Sequence, residues 1–171
     1  MRIDKIDKRW GIPIGIVTIF AFLGSLFRGT PPGLAASEKY IKGLNPQLQK
    51  RARQFIIDAY AAGICVIITS GYRDYINQQG LYDQGRTVPG NIVTNALPGD
   101  SWHNYGLAFD VAILVNDKLT WPVNTDPVWK KLGIIGAKLG LVHGISFGDA
   151  PHFDFHPNLT LAQAKAGQQI V

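Results

Sequence analysis

Two short stretches, far apart in the chain, contain side chains that can bind a metal ion. The first holds His103 and, seven residues later, Asp110, and the second holds His152. Two imidazoles and one carboxylate form a three-ligand set of the kind that a catalytic zinc uses, with water in the open fourth position. We therefore take these residues as candidate ligands of one Zn²⁺ ion. Asp149, three residues before His152, is left near that water.

The residues around Asp110 alternate as they do in a β-strand. Large apolar side chains at positions 107, 109, 111 and 113 point one way, whereas Asp110 lies between the small Ala108 and Ala112 on the other face. An ionised carboxylate in that position needs a partner, because burying it alone costs several kcal/mol. A metal ion is one such partner.

The second stretch has the same alternation. His152 and Asp154 share one face of a short predicted strand, and Phe153 and Phe155 share the other. Pro151 fixes the bend that precedes this strand. Asp154 is thereby predicted either to orient a ligand histidine or to face solvent.

Several blocks in this order resemble the zinc peptidases of the D-alanyl-D-alanine carboxypeptidase type, peptidase family M15. The resemblance is greatest to the phage endolysins and bacterial autolysins that are L-alanyl-D-glutamate endopeptidases. It covers residues 44–154, and the matching blocks are Ser70–Arg73, Gln79 with Leu81–Arg86, Ser101–Asp110 and Asp149–Phe153.

The resemblance implies a role for each site residue. His103, Asp110 and His152 would bind zinc, and Asp149 would be the general base. Arg73 would bind substrate or the developing oxyanion. We also expect Ser101 to hydrogen-bond substrate, or else only to shape its loop.

Two positions, Asp149 and His143, bear on the branch of the family and on the shape of the substrate groove. The base is usually glutamate in the carboxypeptidase branch, so Asp149 favours the endopeptidase branch. His143 stands where the endopeptidases usually carry tryptophan, which affects the shape of the substrate groove. His143 and His156 are expected to be structural or solvent-exposed.

Composition restricts the remaining alternatives. The 171 residues suffice for one domain with a hydrophobic core, and Cys65, the single cysteine, excludes an intramolecular disulfide. A net charge of +5 suits an anionic partner such as a cell-wall polymer. No basic block interleaved with aromatic residues indicates nucleic acid. Nothing in the pattern predicts an oligomer, so we expect a monomer.

The amino terminus has the composition of an export segment. Residues 11–27 carry no charge and follow four basic residues. This predicts an apolar helix in residues 1–28, either a signal anchor or a cleaved signal peptide, with a transient anchor and a buried core helix as alternatives. Residues 29–37 are predicted to be a linker, and residues 38–171 the zinc peptidase domain. The hypotheses of a signal anchor, a signal peptide and a transient anchor all place the protein at the inner membrane or on its periplasmic, cell-wall side.

Periodicity and capping residues predict an α+β domain, with a small and mainly antiparallel sheet flanked by helices, as in the DD-peptidases and hedgehog proteins that the resemblance implies. The predicted helices are Pro46–Ala62, Tyr75–Gln84, Pro127–Leu139 and Thr160–Ala166. The predicted strands are Ile64–Thr69, Leu107–Ile113, Leu119–Val123, Leu141–Ile145 and Pro151–Phe155. Residues 85–100 are predicted to be a long functional loop.

These observations predict a zinc-dependent peptidoglycan hydrolase that cleaves the L-alanyl-D-glutamate bond of the stem peptide, acting as a phage endolysin in host lysis. A D-alanyl-D-alanine carboxypeptidase is the nearest alternative. A wall-binding module without turnover is an alternative from another class.

Overall fold

A computed structural model of the chain describes residues 29–170, which form helices around one sheet. The α-helices are α1 (Pro32–Ile41), α2 (Pro46–Ala61), α3 (Tyr75–Asp83), α4 (Pro127–Lys138) and α5 (Leu161–Lys165). The strands are β1 (Val66–Ser70), β2 (Ala108–Val115), β3 (Lys118–Thr120), β4 (Val142–His143) and β5 (His152–Asp154). Two 3₁₀ turns, Trp102–Tyr105 and Gly144–Phe147, precede β2 and β5 respectively. The predicted α+β class is confirmed.

All strand pairs are antiparallel, in the order β1-β2-β5-β4, with β3 also paired to β2. A tight turn joins β2 to β3, and Asn116 and Asp117 both adopt positive φ there. Such backbone angles are those of the two-residue hairpin turn that Asn and Asp favour. The strands predicted over residues 107–113 and 119–123 thus form a hairpin, although β3 is shorter than the strand expected over residues 119–123.

The core lies between α2 and the sheet. Asn45 caps α2 by accepting from the backbone N–H of Gln47, and Pro46 takes the first helical position. Phe55 on this helix packs against Phe109 of β2 and Phe153 of β5, with ring centroids 5.7 and 4.7 Å apart. The apolar faces of β2 and β5 are thus turned to the core. Their polar faces point to the opposite side of the sheet.

Most of the predicted linker, residues 29–37, is helical in the structure. Helix α1 begins at Pro32, and its Gly33, Ser37 and Ile41 are buried. Gly33 lies so close to β1 that an added Cβ would be 1.8 Å from the carbonyl oxygen of Val66. Pro31 and Pro32 favoured a linker in the sequence, but proline is also well suited to the first turn of a helix.

The prediction for residues 1–28 lies outside the described residues. Within residues 29–170, no helix has both the length and the apolar character needed to span a membrane. The strand predicted over residues 141–145 is also shorter than expected, because β4 ends at His143 and the chain continues as a 3₁₀ turn.

Candidate metal centre

The two distant stretches meet through the pairing of β2 with β5. Asp110 and His152 are directly opposite each other in this ladder. His103 lies in the 3₁₀ turn Trp102–Tyr105, which ends at Gly106 in the left-handed conformation and leads into β2. All three side chains therefore reach the same side of the sheet.

Three side-chain atoms converge on one point. His152 Nδ1 lies 3.0 Å from Asp110 Oδ1 and 3.2 Å from His103 Nε2, and His103 Nε2 lies 3.3 Å from Asp110 Oδ1. Two ligand atoms bound to a tetrahedral zinc at about 2.0–2.1 Å would be about 3.3 Å apart. The nitrogen and oxygen donors, and their mutual spacing, therefore fit one zinc ion.

The far nitrogen of each histidine is also engaged. His103 Nδ1 lies 2.7 Å from the carbonyl oxygen of Gly71, which can only accept, so Nδ1 carries the hydrogen and Nε2 presents its lone pair. His152 Nε2 lies 3.3 Å from Oδ2 of the buried Asp154. Metal-bound histidines usually donate their other N–H to such oxygens, which fixes the ring orientation.

The electrostatics of the cluster are those of a site that requires positive charge. Burial raises the pKa of Asp110, but the charges and hydrogen bonds of His103 and His152 outweigh it and hold that pKa well below its usual range. Burial lowers the pKa of His152, but Asp110 and Asp154 outweigh it and raise the pKa to about 9. Without a metal, the carboxylate is compensated by a proton on the histidine pair.

Arg73 lies beside the cluster in a fixed orientation. Its Nη1 donates to Oε1 of Gln78 at 3.0 Å, and its Nη2 donates to Oγ of Ser70 at 3.1 Å. The same Nη2 is 3.8 Å from Asp110 Oδ2, the oxygen that faces away from the histidines. A side chain held in this way can present its remaining N–H groups to an anionic group without reorganising.

Asp149 is on the segment between the second 3₁₀ turn and β5. Its side chain is exposed, and within residues 29–170 no hydrogen bond or ion pair holds its carboxylate. Although the residue is exposed, the cavity walls remove part of the water around its carboxyl, and this partial desolvation, followed by the charge of Asp110, raises its pKa against the opposing charges of His152, His103 and Arg73. Asp149 is thus free to accept a proton at the same site.

One cavity of about 710 Å³ joins these groups. Its walls include Arg73, the three converging residues, Asp149, and part of the predicted loop over residues 93–96. Of the loop predicted to be functional, residues 85–100, the part that lines this cavity is residues 93–96 and Asp100. The cavity is large enough to hold several residues of a peptide.

The sequence missed two residues that order the site. Gln78 is fully buried; besides binding Arg73, it donates to the carbonyl of Ala96 at 2.8 Å. Asn104 donates to the carbonyl of Arg73 at 2.8 Å. Gln79 was singled out by the family resemblance, but it pairs with Asp83 at an exposed position. The two glutamines lie on different sides of α3: Gln78 faces the loop and is buried, whereas Gln79 is exposed.

Ser101 and His143 support the backbone. Ser101 lines the cavity, and its hydroxyl accepts from the N–H of His103 at 3.4 Å as the cap of the 3₁₀ turn. The His143 ring stacks on Phe153, and its Nε2 lies 2.7 Å from the carbonyl of Ala150. Burial lowers the pKa of His143, so the neutral ring donates to this carbonyl and holds the segment next to Asp149.

Comparisons with known proteins agree with the fold and with the family that the sequence resembles. The family model described as VanY, D-alanyl-D-alanine carboxypeptidase, matches residues 41–151. The peptidoglycan L-alanyl-D-glutamate endopeptidase CwlK of Bacillus subtilis (strain 168) is 38% identical over 125 residues, which is 67% of this chain and 75% of CwlK.

Two solved structures share the fold at low sequence identity. The L-Ala D-Glu endopeptidase ChiX of Serratia marcescens has a TM-score of 0.54 at 19% identity, covering 77% of this chain and 92% of ChiX. The vancomycin-resistance D,D-pentapeptidase VanY, solved in complex with Zn(II), has a TM-score of 0.52 at 17% identity, covering 72% of this chain and 78% of VanY.

The sheet with its convergent histidines and carboxylate defines a class, the metallopeptidases of α+β fold. Within that class, the chain belongs to the VanY family of D-alanyl-D-alanine carboxypeptidases.

Proposed function

We propose that this protein is a zinc-dependent peptidoglycan hydrolase that cleaves the L-alanyl-D-glutamate bond of the stem peptide. The observation that carries the proposal is the convergence of His103 Nε2, Asp110 Oδ1 and His152 Nδ1 within 3.0–3.3 Å of one another. These atoms open into a cavity that also holds Asp149 and Arg73.

The chain's own groups divide the chemistry of amide hydrolysis between them. His103, Asp110 and His152 would hold the zinc ion, which would supply Lewis acidity to a substrate carbonyl and to water. Asp149 takes the proton from the attacking water and returns it to the leaving amine, because its carboxylate faces the cavity without a competing partner. Arg73 stabilises negative charge on the carbonyl oxygen or binds a substrate carboxylate.

The choice of scissile bond rests on the relatives and on the base. CwlK, the 38% identical relative, is an L-alanyl-D-glutamate endopeptidase. The aspartate at position 149 favours the same branch, since the family resemblance associates glutamate with the carboxypeptidases. The family description itself favours D-alanyl-D-alanine carboxypeptidase activity, which is the second candidate.

The setting of the reaction is also part of the proposal. A substrate in the cell wall requires export, so residues 1–28 would act as a signal or an anchor, permanent or transient, in the membrane. The domain predicted over residues 38–171, together with the part of α1 that precedes it, would then work as a monomer on the wall side. In this arrangement, the protein would act as a phage endolysin during host lysis.

Mass analysis of muropeptides incubated with the zinc-loaded protein tests the bond. We expect muramyl-L-alanine and a free peptide that begins with D-glutamate. Loss of one terminal alanine alone would identify the carboxypeptidase. Wall binding without any cleaved product in the presence of zinc would identify a non-catalytic module.

A further inference from the structure

The buried carboxylate of Asp154 is placed between two histidines. Its Oδ2 is 3.3 Å from Nε2 of His152, and its Oδ1 is 3.0 Å from Nε2 of His156. The Asp154 residue is only 2% exposed, so water does little to compensate its charge. Each of its oxygens instead has a histidine nitrogen as its polar neighbour.

His156 is held in this position from two other directions. Its Nδ1 lies 3.1 Å from the carbonyl oxygen of Leu159, which can only accept. Its ring stacks on Trp102, with centroids 4.0 Å apart and planes 10° from parallel. Both ring nitrogens thus face oxygen atoms, and together with the stack on Trp102 this fixes the orientation of the ring.

His156 Nε2 is the polar neighbour of the second carboxylate oxygen of Asp154. Within residues 29–170, this buried Oδ1 has no hydrogen bond of good geometry, and His156 Nε2 lies 3.0 Å from it. A buried oxygen without a donor is unfavourable. Loss of His156 would remove the nitrogen that lies against this oxygen.

The same contacts join the two halves of the metal centre. Trp102 immediately precedes His103 in the 3₁₀ turn, and His156 follows β5, which carries His152. The stack of His156 on Trp102 therefore links the first stretch to the second behind the metal ligands.

From this arrangement we infer that His156 is a positioning residue for the metal centre, acting on the ligand His152 through the carboxylate of Asp154. The inference rests on the proposed zinc site, and it assigns a role to a histidine that the sequence predicted to be structural or solvent-exposed. Its role is to hold the carboxylate of Asp154 oriented toward His152 Nε2, which fixes the ring that would bind the metal through Nδ1.

Two substitutions separate this role from simple packing. His156→Phe keeps an aromatic ring on Trp102 but removes every donor to Asp154, whereas His156→Gln keeps an amide donor and loses the ring. Zinc affinity is measured by competition with a chelator, without substrate. We expect His156→Phe to weaken zinc binding about 10-fold, at the lower end of the range for supporting partners of ligand histidines. His156→Gln should remain closer to the wild type than to His156→Phe.

A double-mutant cycle with Asp154→Asn tests the path. If His156 acts through Asp154, adding His156→Phe to Asp154→Asn should cause no further loss of zinc affinity. Additive losses, or a His156→Phe variant that binds zinc as the wild type does, would overturn the inference while leaving the proposed function in place. A wild-type protein that binds no zinc would overturn both.

Discussion

Asp149 is the carboxylate in the cavity that is not paired within the described part of the chain. The carboxylate of Asp110 contacts His103 and His152, whereas that of Asp149 makes no hydrogen bond or ion pair within residues 29–170. Substitution by asparagine keeps its shape and removes its basicity. We expect Asp149→Asn to lower kcat by roughly 10²- to 10⁴-fold, the usual contribution of a general base. Zinc affinity should be unchanged, because the three converging atoms are untouched.

The control for that variant is Asp58→Asn on α2, which removes a carboxylate that pairs with Gln54 outside the cavity. Steady-state kinetics on a muropeptide and chelator competition are the two measurements. Wild-type activity in Asp149→Asn would remove Asp149 from the role of base.

The pH profile of the wild type should carry the same signature. Because surroundings raise the pKa of Asp149, its base form is lost at a higher pH than for an ordinary carboxylate. The value of kcat/KM should therefore fall, as pH is lowered, through a pKa above about 3.9. An acid limb at or below the ordinary carboxylate range would contradict this assignment, provided that zinc is kept saturating.

The guanidinium of Arg73 is a planar fork of N–H donors, which lysine cannot reproduce. Two of its nitrogens bind Gln78 and Ser70, which leaves the guanidinium facing the cavity in one orientation. We expect Arg73→Lys to lower kcat/KM by roughly 10²-fold, as loss of an oxyanion donor does. Arg53→Lys, which alters only the pair with Glu38, is the matched control. Equal kinetics in the two variants would exclude a role for Arg73 in the reaction.

At the scale of elements, the segment between β4 and β5 has little freedom to move. A Cβ added at Gly144 would lie 2.5 Å from the carbonyl oxygen of Asp149 and 2.8 Å from the Cβ of His152. Gly144→Ala should therefore displace the base and a ligand together, lowering both zinc affinity and kcat, and should cost about 1–3 kcal/mol of stability by overpacking.

Gly80→Ala on α3 is the matched control, because the added methyl group would meet no atom within 4 Å apart from the neighbouring backbone of its own helix. That substitution should stabilise the fold by about 0.5–1 kcal/mol through helix propensity. Thermal unfolding and chelator competition on both variants decide the point. A Gly144→Ala protein with normal zinc affinity and stability would show that this segment adapts freely.

The elements that the sequence predicted correctly are those with a local signal. Asn45-Pro46 and Asp126-Pro127 cap and begin α2 and α4 as expected, and alternation placed Asp110 on the polar face of β2. The structure also brings His103, Asp110 and His152 together as the resemblance implied.

What the sequence could not predict depends on contacts between distant segments. Helix α1 exists because its buried face packs on β1, which no pattern within residues 29–37 reveals. Gln78, rather than its neighbour Gln79, is buried because of where α3 meets the loop at Ala96. The contact of His156 with Asp154 likewise requires the fold of the chain after β5.

At the scale of the whole molecule, most of the net charge lies outside the described domain. Residues 1–28 carry five Lys or Arg against two Asp or Glu, which accounts for three of the five net positive charges. With residues 1–28 acting in the membrane as proposed, the domain would meet an anionic wall with a net charge of +5 minus +3, or +2. This weak charge favours the cavity, rather than long-range attraction, as the source of specificity.

The stability of the metal-free protein should depend on pH through the ligand cluster. The pKa of His152 is raised to about 9, so protonated His152 stabilises the fold fully below about pH 6.5, and this contribution is lost as pH rises toward 9. Between pH 6 and pH 9, we expect the chelated protein to lose roughly 5 °C in Tm. The zinc-loaded protein should lose less, because the metal replaces the proton.

Calorimetry of chelated and zinc-loaded protein at both pH values measures this difference. His152→Ala, which removes the group, should abolish the difference between the two preparations. A chelated wild type more stable at pH 9 than at pH 6 would contradict the charge balance of the cluster.

The most direct test of a catalytic zinc held by His103, Asp110 and His152 is a zinc titration of chelator-stripped protein, followed by the rate of muropeptide cleavage. We predict no cleavage at the start, a rise that saturates at one zinc per chain, and no rise in His103→Ala at the same zinc concentrations. Full activity in the stripped wild type, or the same titration curve in His103→Ala, would contradict it.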